Sequence, residues 1–141
     1  MSERCSICNC VVHRDGGYAE GTVQGRSHAT GHHYVAERFF GRSANRRGTQ
    51  EERIFEQCPW GLERASTVCC YECHEVLLHN PVFAPADISG FSELVGLRNL
   101  NEDNKGQDRS KLAGRIKLLH EVIECGIKRI LHDERQKMIR Q

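Results

Sequence analysis

The sequence predicts a small α+β fold with helices added at its C-terminal end, and three observations carry that expectation. Cys5-Ser6-Ile7-Cys8 and Cys70-Tyr71-Glu72-Cys73 are two Cys-x-x-Cys pairs at long separation, the arrangement that closes a tetrahedral site for a structural zinc. The first pair leads into the β-branched run Val11-Val12-His13, read as a strand, and the second into helix formers ending at Asn80-Pro81. Near the C-terminus, Leu112, Ile116, Leu119, Ile123, Ile127 and Ile130 recur at spacings of three and four, the stripe of a long amphipathic helix.

Composition supports a staple. At 141 residues, 38% hydrophobic and 6% aromatic, the chain has room for one modest domain with a thin core. Metal bound by cysteines would offset that deficit, because binding energy at such a site becomes folding energy. No basic stretch followed by an apolar run opens the chain, and no apolar run reaches the roughly eighteen residues of a membrane span. The expected setting is therefore the cytoplasm, with no membrane partner. There, eight cysteines read as thiolate ligands and buried thiols rather than disulfides. A net charge of +1 decides nothing about nucleic acid, which leaves local patches to do so.

In chain order, Asp15-Gly16-Gly17 signals a turn, and Gly21, Gly25 and Gly31 predict an irregular segment after it. His33-Tyr34-Val35-Ala36 fits a strand or the entry to a short helix. Little periodicity follows, and Arg42, Arg46 and Arg47 among Gly41, Ser43, Asn45 and Gly48 read as an exposed loop. Glu51 to Phe55 reads as a helical turn, broken at Cys58-Pro59-Trp60-Gly61. Pro85-Ala86-Asp87 starts a helix with Ile88, Phe91, Leu94, Val95 and Leu97 on its apolar face, and residues 99–106 read as a polar linker. In the last helix Asp108 or Ser110 can cap the start and Glu124 pairs with Lys128. Gly114 and Gly126 each cost about 1 kcal/mol relative to alanine unless a neighbour packs closely there. Such a stripe must dock on the domain or pair with a second copy of the chain.

Of the eight cysteines, Cys70 suits the third ligand position better than Cys69, because only Cys70 has the x-x spacing to Cys73. Cys10, Cys58 and Cys125 read as spare or buried thiols. His32 and His33 are adjacent, so on extended backbone one ring can hold a metal while the other faces water or phosphate. His74 follows Cys73 directly, so a zinc anchored there would fix where His74 points.

His32-His33 followed by Cys70-Tyr71-Glu72-Cys73-His74 resembles the zinc-stapled His-Asn-His (HNH) endonucleases. The resemblance covers about residues 1–80 and implies a ββα-metal core, with an arginine-bearing insertion at about 37–66. It implies a structural zinc on Cys5, Cys8, Cys70 and Cys73, and a catalytic Mg2+, Mn2+ or other divalent ion on His32 and His74. His33 would be the general base and DNA the partner. Arg38, Arg42, Arg46 and Arg47 lie just beyond the paired histidines, and their guanidinium forks match phosphate oxygens. That family's asparagine has no counterpart in Ala65-Ser66-Thr67-Val68. His79, five residues after His74, falls about 140° away on an ideal α-helix and is set aside as a co-ligand.

Residues 81–106 would then be a short helix and linker, and 107–141 the long helix. The competing reading is a non-catalytic zinc module for nucleic acid or protein. In that reading Cys5, Cys8, His28 and His32 form one site, and Cys58, Cys70, Cys73 and His74 a second. An assembly protein that forms a homodimer through its C-terminal helix is compatible with either.

Overall fold

The computed structural model describes residues 3–14, 27–41, 44–45, 48–49, 53–102 and 109–141. Arg42, Arg46, Arg47, Asp15-Gly16-Gly17, Gly21, Gly25, Glu51, Glu52 and Asp108 lie outside the described residues, as does most of the expected linker. Two compact units divide the chain, Met1–Val82 and Phe83–Gln141.

The first unit is built on strand β1 (Ala29–His33) paired antiparallel with β4 (Ser66–Cys70). Its register sets Ala29 opposite Cys70, Gly31 opposite Val68 and His33 opposite Ser66. β1 thus begins before the expected His33–Ala36 segment and includes Gly31, which was expected in irregular chain. The ladder to β4 supplies what intrinsic propensity does not. The N-terminal Cys-x-x-Cys turn is laced to this ladder: Ser6 N–H donates to Val68 O at 2.9 Å, and the Ser6 and Thr67 hydroxyls are 2.6 Å apart. Asn9 closes the turn at φ 66°, donating to Cys5 O, a left-handed conformation that asparagine tolerates. Val11 to His13 makes only isolated bridges, to Arg4 and His28, where a strand was expected. Cys5, Val12, Ala29, Cys69, Cys70 and Cys73 form the buried core, with Cys10 and Val68 against it. Four of those six buried residues are cysteines, so thiols rather than hydrocarbon fill the centre.

Among the described residues between β1 and β4, several side chains pack together where an exposed loop was expected. Val35, Phe40 and Phe55 are buried. The Phe39–Phe55 and Phe55–Trp60 ring pairs stand edge-to-face at 5.8 and 5.5 Å. Arg53 lies over the Phe40 ring at 5.7 Å and donates to Phe55 O and Glu56 O. Arg53–Phe55 is not helical; instead Ile54 and Phe55 N–H both donate to Phe39 O. Within the expected loop, the short strands β2 (Ala44–Asn45) and β3 (Gly48–Thr49) pair antiparallel.

After β4 the chain enters a helix, as helix formers require, but it is wound as a π-helix over Glu72–Leu78. Asn80 ends it: its side-chain amide donates to Glu75 O at 3.2 Å and Val76 O at 2.7 Å, and Pro81 forbids another turn.

In the second unit, α1 (Pro85–Leu97) starts on proline, with the Asp87 carboxylate accepting the Ala84 N–H at 2.8 Å. α2 runs Arg109–Ile139. Val95 and Leu118 are buried, and Arg98 grips the Glu121 carboxylate with both guanidinium nitrogens. Leu112, Ile116 and Leu119 are half-buried. The stripe beyond them is open, Ile127 at 54% and Ile130 at 64% exposure. Among the described residues no helix is long and apolar enough to cross a membrane.

The two α2 glycines differ. A Cβ on Gly114 would meet Leu100 Cδ2 at 2.5 Å, whereas one on Gly126 meets nothing within 4 Å. Gly126→Ala is therefore expected to stabilise the helix by about 1 kcal/mol, and Gly114→Ala to lose that gain to displacement of Leu100. Thermal unfolding followed by helical circular dichroism checks the difference.

Candidate metal centres

The first centre is a cluster of sulfur. The thiols of Cys5, Cys8, Cys70 and Cys73 all lie within 4.8 Å of one another, and the Cys8 and Cys70 sulfurs are 3.9 Å apart. Four sulfurs about 2.3 Å from a central zinc stand about 3.8 Å apart, so the spacing fits that ion. Backbone donors prepare the ligands: Ile7 N–H points at Cys5 Sγ and Cys73 N–H at Cys70 Sγ, each at 3.4 Å.

Electrostatics agree. Burial alone would raise the Cys5 thiol, but backbone N–H bonds around it prevail and bring it down to about 6. Cys8 is lowered chiefly by a backbone bond at Cys10. Cys73 is pushed up, first by burial and then by the neighbouring thiols. Four sulfurs this close cannot all ionise beside one another without a cation among them. The residues therefore suit a metal ion such as zinc. Cys10, raised to about 12 by burial and by Cys8 and Cys70, and the fully buried Cys69, also raised, stay neutral thiols. Cys58 and Cys125 stand outside the cluster.

The second centre is all imidazole. One ring nitrogen from each of His32, His74 and His79 lies within 4.8 Å of the others. Ring centroids are 5.1 Å apart for His32–His74, 4.7 Å for His74–His79 and 6.0 Å for His32–His79. His79 was set aside on α-helical geometry, and the winding corrects that. In a π-helix hydrogen bonds run from i to i+5, so side chains five apart come into line. Burial lowers His32 and His74, the other histidines add repulsion, and at His74 the Glu75 carboxylate opposes burial without overcoming it, so both rings are neutral and have lone pairs to offer at neutral pH.

A hydrogen-bond chain fixes one of these rings. The Thr30 hydroxyl donates to Cys69 O at 2.9 Å, so it accepts from His74 Nδ1 at 2.9 Å. Nδ1 of His74 thus has the proton and Nε2 the lone pair. His79 Nδ1 faces Glu75 Oε2 at 3.3 Å. Thr30 and Glu75 escaped sequence reasoning and His79 was set aside there; the spacing His74-Glu75-x-x-x-His79 is the available signal, and it becomes legible only once the helix is π-wound.

His32, His33, Glu37, His74 and His79 line an open cleft of about 560 Å³. His33 stands in this cleft but outside the metal group, half exposed, with Nε2 3.7 Å from Glu37 Oε1. Arg38 is exposed, its guanidinium 5.8 Å from the Phe39 ring centroid. The two mixed cysteine–histidine sets do not assemble. His28 puts Nδ1 3.0 Å from Ala29 O and packs edge-to-face on His13, and Cys58 joins neither centre. Among the described residues, cysteines sort with cysteines and histidines with histidines.

No protein-family model, no curated protein and no solved structure matches the chain.

The sulfur cluster predicts a pH dependence. A Cys5 thiol lowered from 9.0 to about 6 contributes stability that is fully present above the ordinary thiol value and is lost as pH falls through about 6. Bound zinc should stay on the protein at neutral pH and be released as pH drops below about 6, followed with a chromogenic zinc indicator. Cys8→Ser and Cys73→Ser should lose the ion, and Cys10→Ser and Cys125→Ser should keep it.

Proposed function

We propose that the chain is a metal-dependent endonuclease or nickase of the HNH type, hydrolysing DNA phosphodiester bonds. A structural zinc sits on Cys5, Cys8, Cys70 and Cys73, and a divalent ion on His32 and His74, joined by His79. The supporting observation is an order of parts around one cleft. Two antiparallel strands are followed by a short helix, β1 supplies His32 and His33, the helix supplies His74 and His79, and a cysteine cluster lies at the strand–helix junction. That order supports reading the unit as a ββα-metal core with residues 34–65 inserted between its two strands.

His33 acts as the general base, an imidazole able to take a proton from water near neutral pH. Glu37, 3.7 Å from its Nε2, stabilises the imidazolium that results and takes the place of the absent asparagine. His32, His74 and His79 are three protein ligands, the number found in hydrolytic centres that keep a position open. An ion held there supplies Lewis-acid stabilisation of charge on the phosphate and the leaving oxygen. Arg38, with Arg42, Arg46 and Arg47, engages DNA phosphates. The protein works in the cytoplasm, where its thiolates stay reduced, and the open stripe of α2 pairs with a second copy.

One observation favours the alternative, a non-catalytic zinc-binding module: Arg38 lies near the Phe39 ring, where cation–π attraction competes with phosphate binding. A plasmid-nicking assay in Mg2+, Mn2+, Co2+ and Zn2+ separates the two. The nuclease reading expects cleavage that falls by about 100-fold or more in His33→Ala with both metals retained. Absence of cleavage by the fully metal-loaded protein selects the module.

A further inference from the structure

The geometry points to a use for Glu75, which lies between two of the histidines. Its carboxylate faces the same atom of two rings: Oε2 is 3.3 Å from His79 Nδ1 and Oε1 is 3.7 Å from His74 Nδ1. It is not in the ligand group itself, which is His32, His74 and His79. The backbone beneath it is pinned, because Asn80 donates to Glu75 O and Val76 O. Thr30 supplies the main bond to His74 Nδ1 from the strand side, at 2.9 Å. Both helix rings therefore have Nδ1 occupied by an oxygen, and in both Nε2 is the nitrogen left for a metal. A histidine that ligates by one nitrogen while giving its other N–H to a carboxylate or hydroxyl is held in tautomer and orientation, and is made more basic.

We infer that Glu75 is the positioning residue of the three-histidine centre, with Thr30 as its counterpart on strand β1, and that the centre so arranged takes a borderline transition ion such as Co2+, Ni2+ or Zn2+ in preference to Mg2+. This rests on the divalent ion of the proposed function and not on cleavage. Imidazole nitrogens suit borderline ions, whereas Mg2+ demands an octahedral oxygen shell that these ligands do not offer. The Glu75 carboxylate, turned toward His79 Nδ1 and outside the ligand group, does not supply such a shell.

The test titrates Co2+ into full-length protein whose sulfur site already holds zinc, with nitrogen-15 NMR of the imidazoles before metal is added. Wild type should bind one Co2+ without thiolate absorption, show His74 and His79 protonated at Nδ1, and bind Mg2+ far more weakly. Glu75→Gln should weaken Co2+ about 10- to 100-fold and shift His79 toward the other tautomer, leaving zinc and helicity unchanged. Thr30→Val should shift His74 instead. Folded Glu75→Gln and Glu75→Ala proteins that bind Co2+ within about twofold of wild type overturn the inference, as does Mg2+ binding as tight as Co2+. Wild type that takes no ion beyond the sulfur site also overturns it. Protein that binds Co2+ as expected but cuts no DNA sustains the inference and counts only against the nuclease reading.

Discussion

The convergence of Cys5, Cys8, Cys70 and Cys73 is the constraint on which the first unit depends. Around β1 and β4 the buried cluster is mostly sulfur, four cysteines with Val12 and Ala29, while Val35, Phe40 and Phe55 are buried elsewhere in the unit. Hydrocarbon burial of that extent, at roughly 25 cal/mol per Å², leaves little against the entropy of ordering the chain. Structural zinc in small modules supplies on the order of 10 kcal/mol, which is the scale of a whole domain's net stability. The staple joins the N-terminal turn to the end of β4, and so fixes where the following helix begins.

From that fixed point the second centre follows by short covalent and hydrogen-bonded steps. Cys73 is one of the four clustered sulfurs and His74 is its neighbour in the chain. Cys69 precedes Cys70 of the cluster, and its carbonyl takes the Thr30 hydroxyl that in turn orients His74. π-winding then brings His79 beside His74. π-turns are rare and occur mostly at functional sites, consistent with a winding kept for the residues it aligns.

Local patterns were legible in the sequence. The two Cys-x-x-Cys pairs, the proline start of α1, the stop at Asn80-Pro81 and the length of α2 each depend on residues close together in the chain. Gly114 answered the condition set for it, since Leu100 occupies the space a side chain would need. Missed features depend on distant partners or unusual winding. Gly31 disguised β1, whose pairing comes from β4. Phe39, Phe40, Phe55 and Trp60 have no periodicity, so their small aromatic core read as loop. His79 was misjudged because its angle was reckoned at 100° per residue, the α value. Thr30 resembles any strand threonine until its two bonds are seen.

The central claim is that cysteines and histidines sort into separate centres. Zinc-edge X-ray absorption on protein loaded with one equivalent of zinc tests it most directly. The expected result is a shell of four sulfurs at about 2.3 Å with no nitrogen. A mixed shell of sulfur and imidazole nitrogen would contradict it.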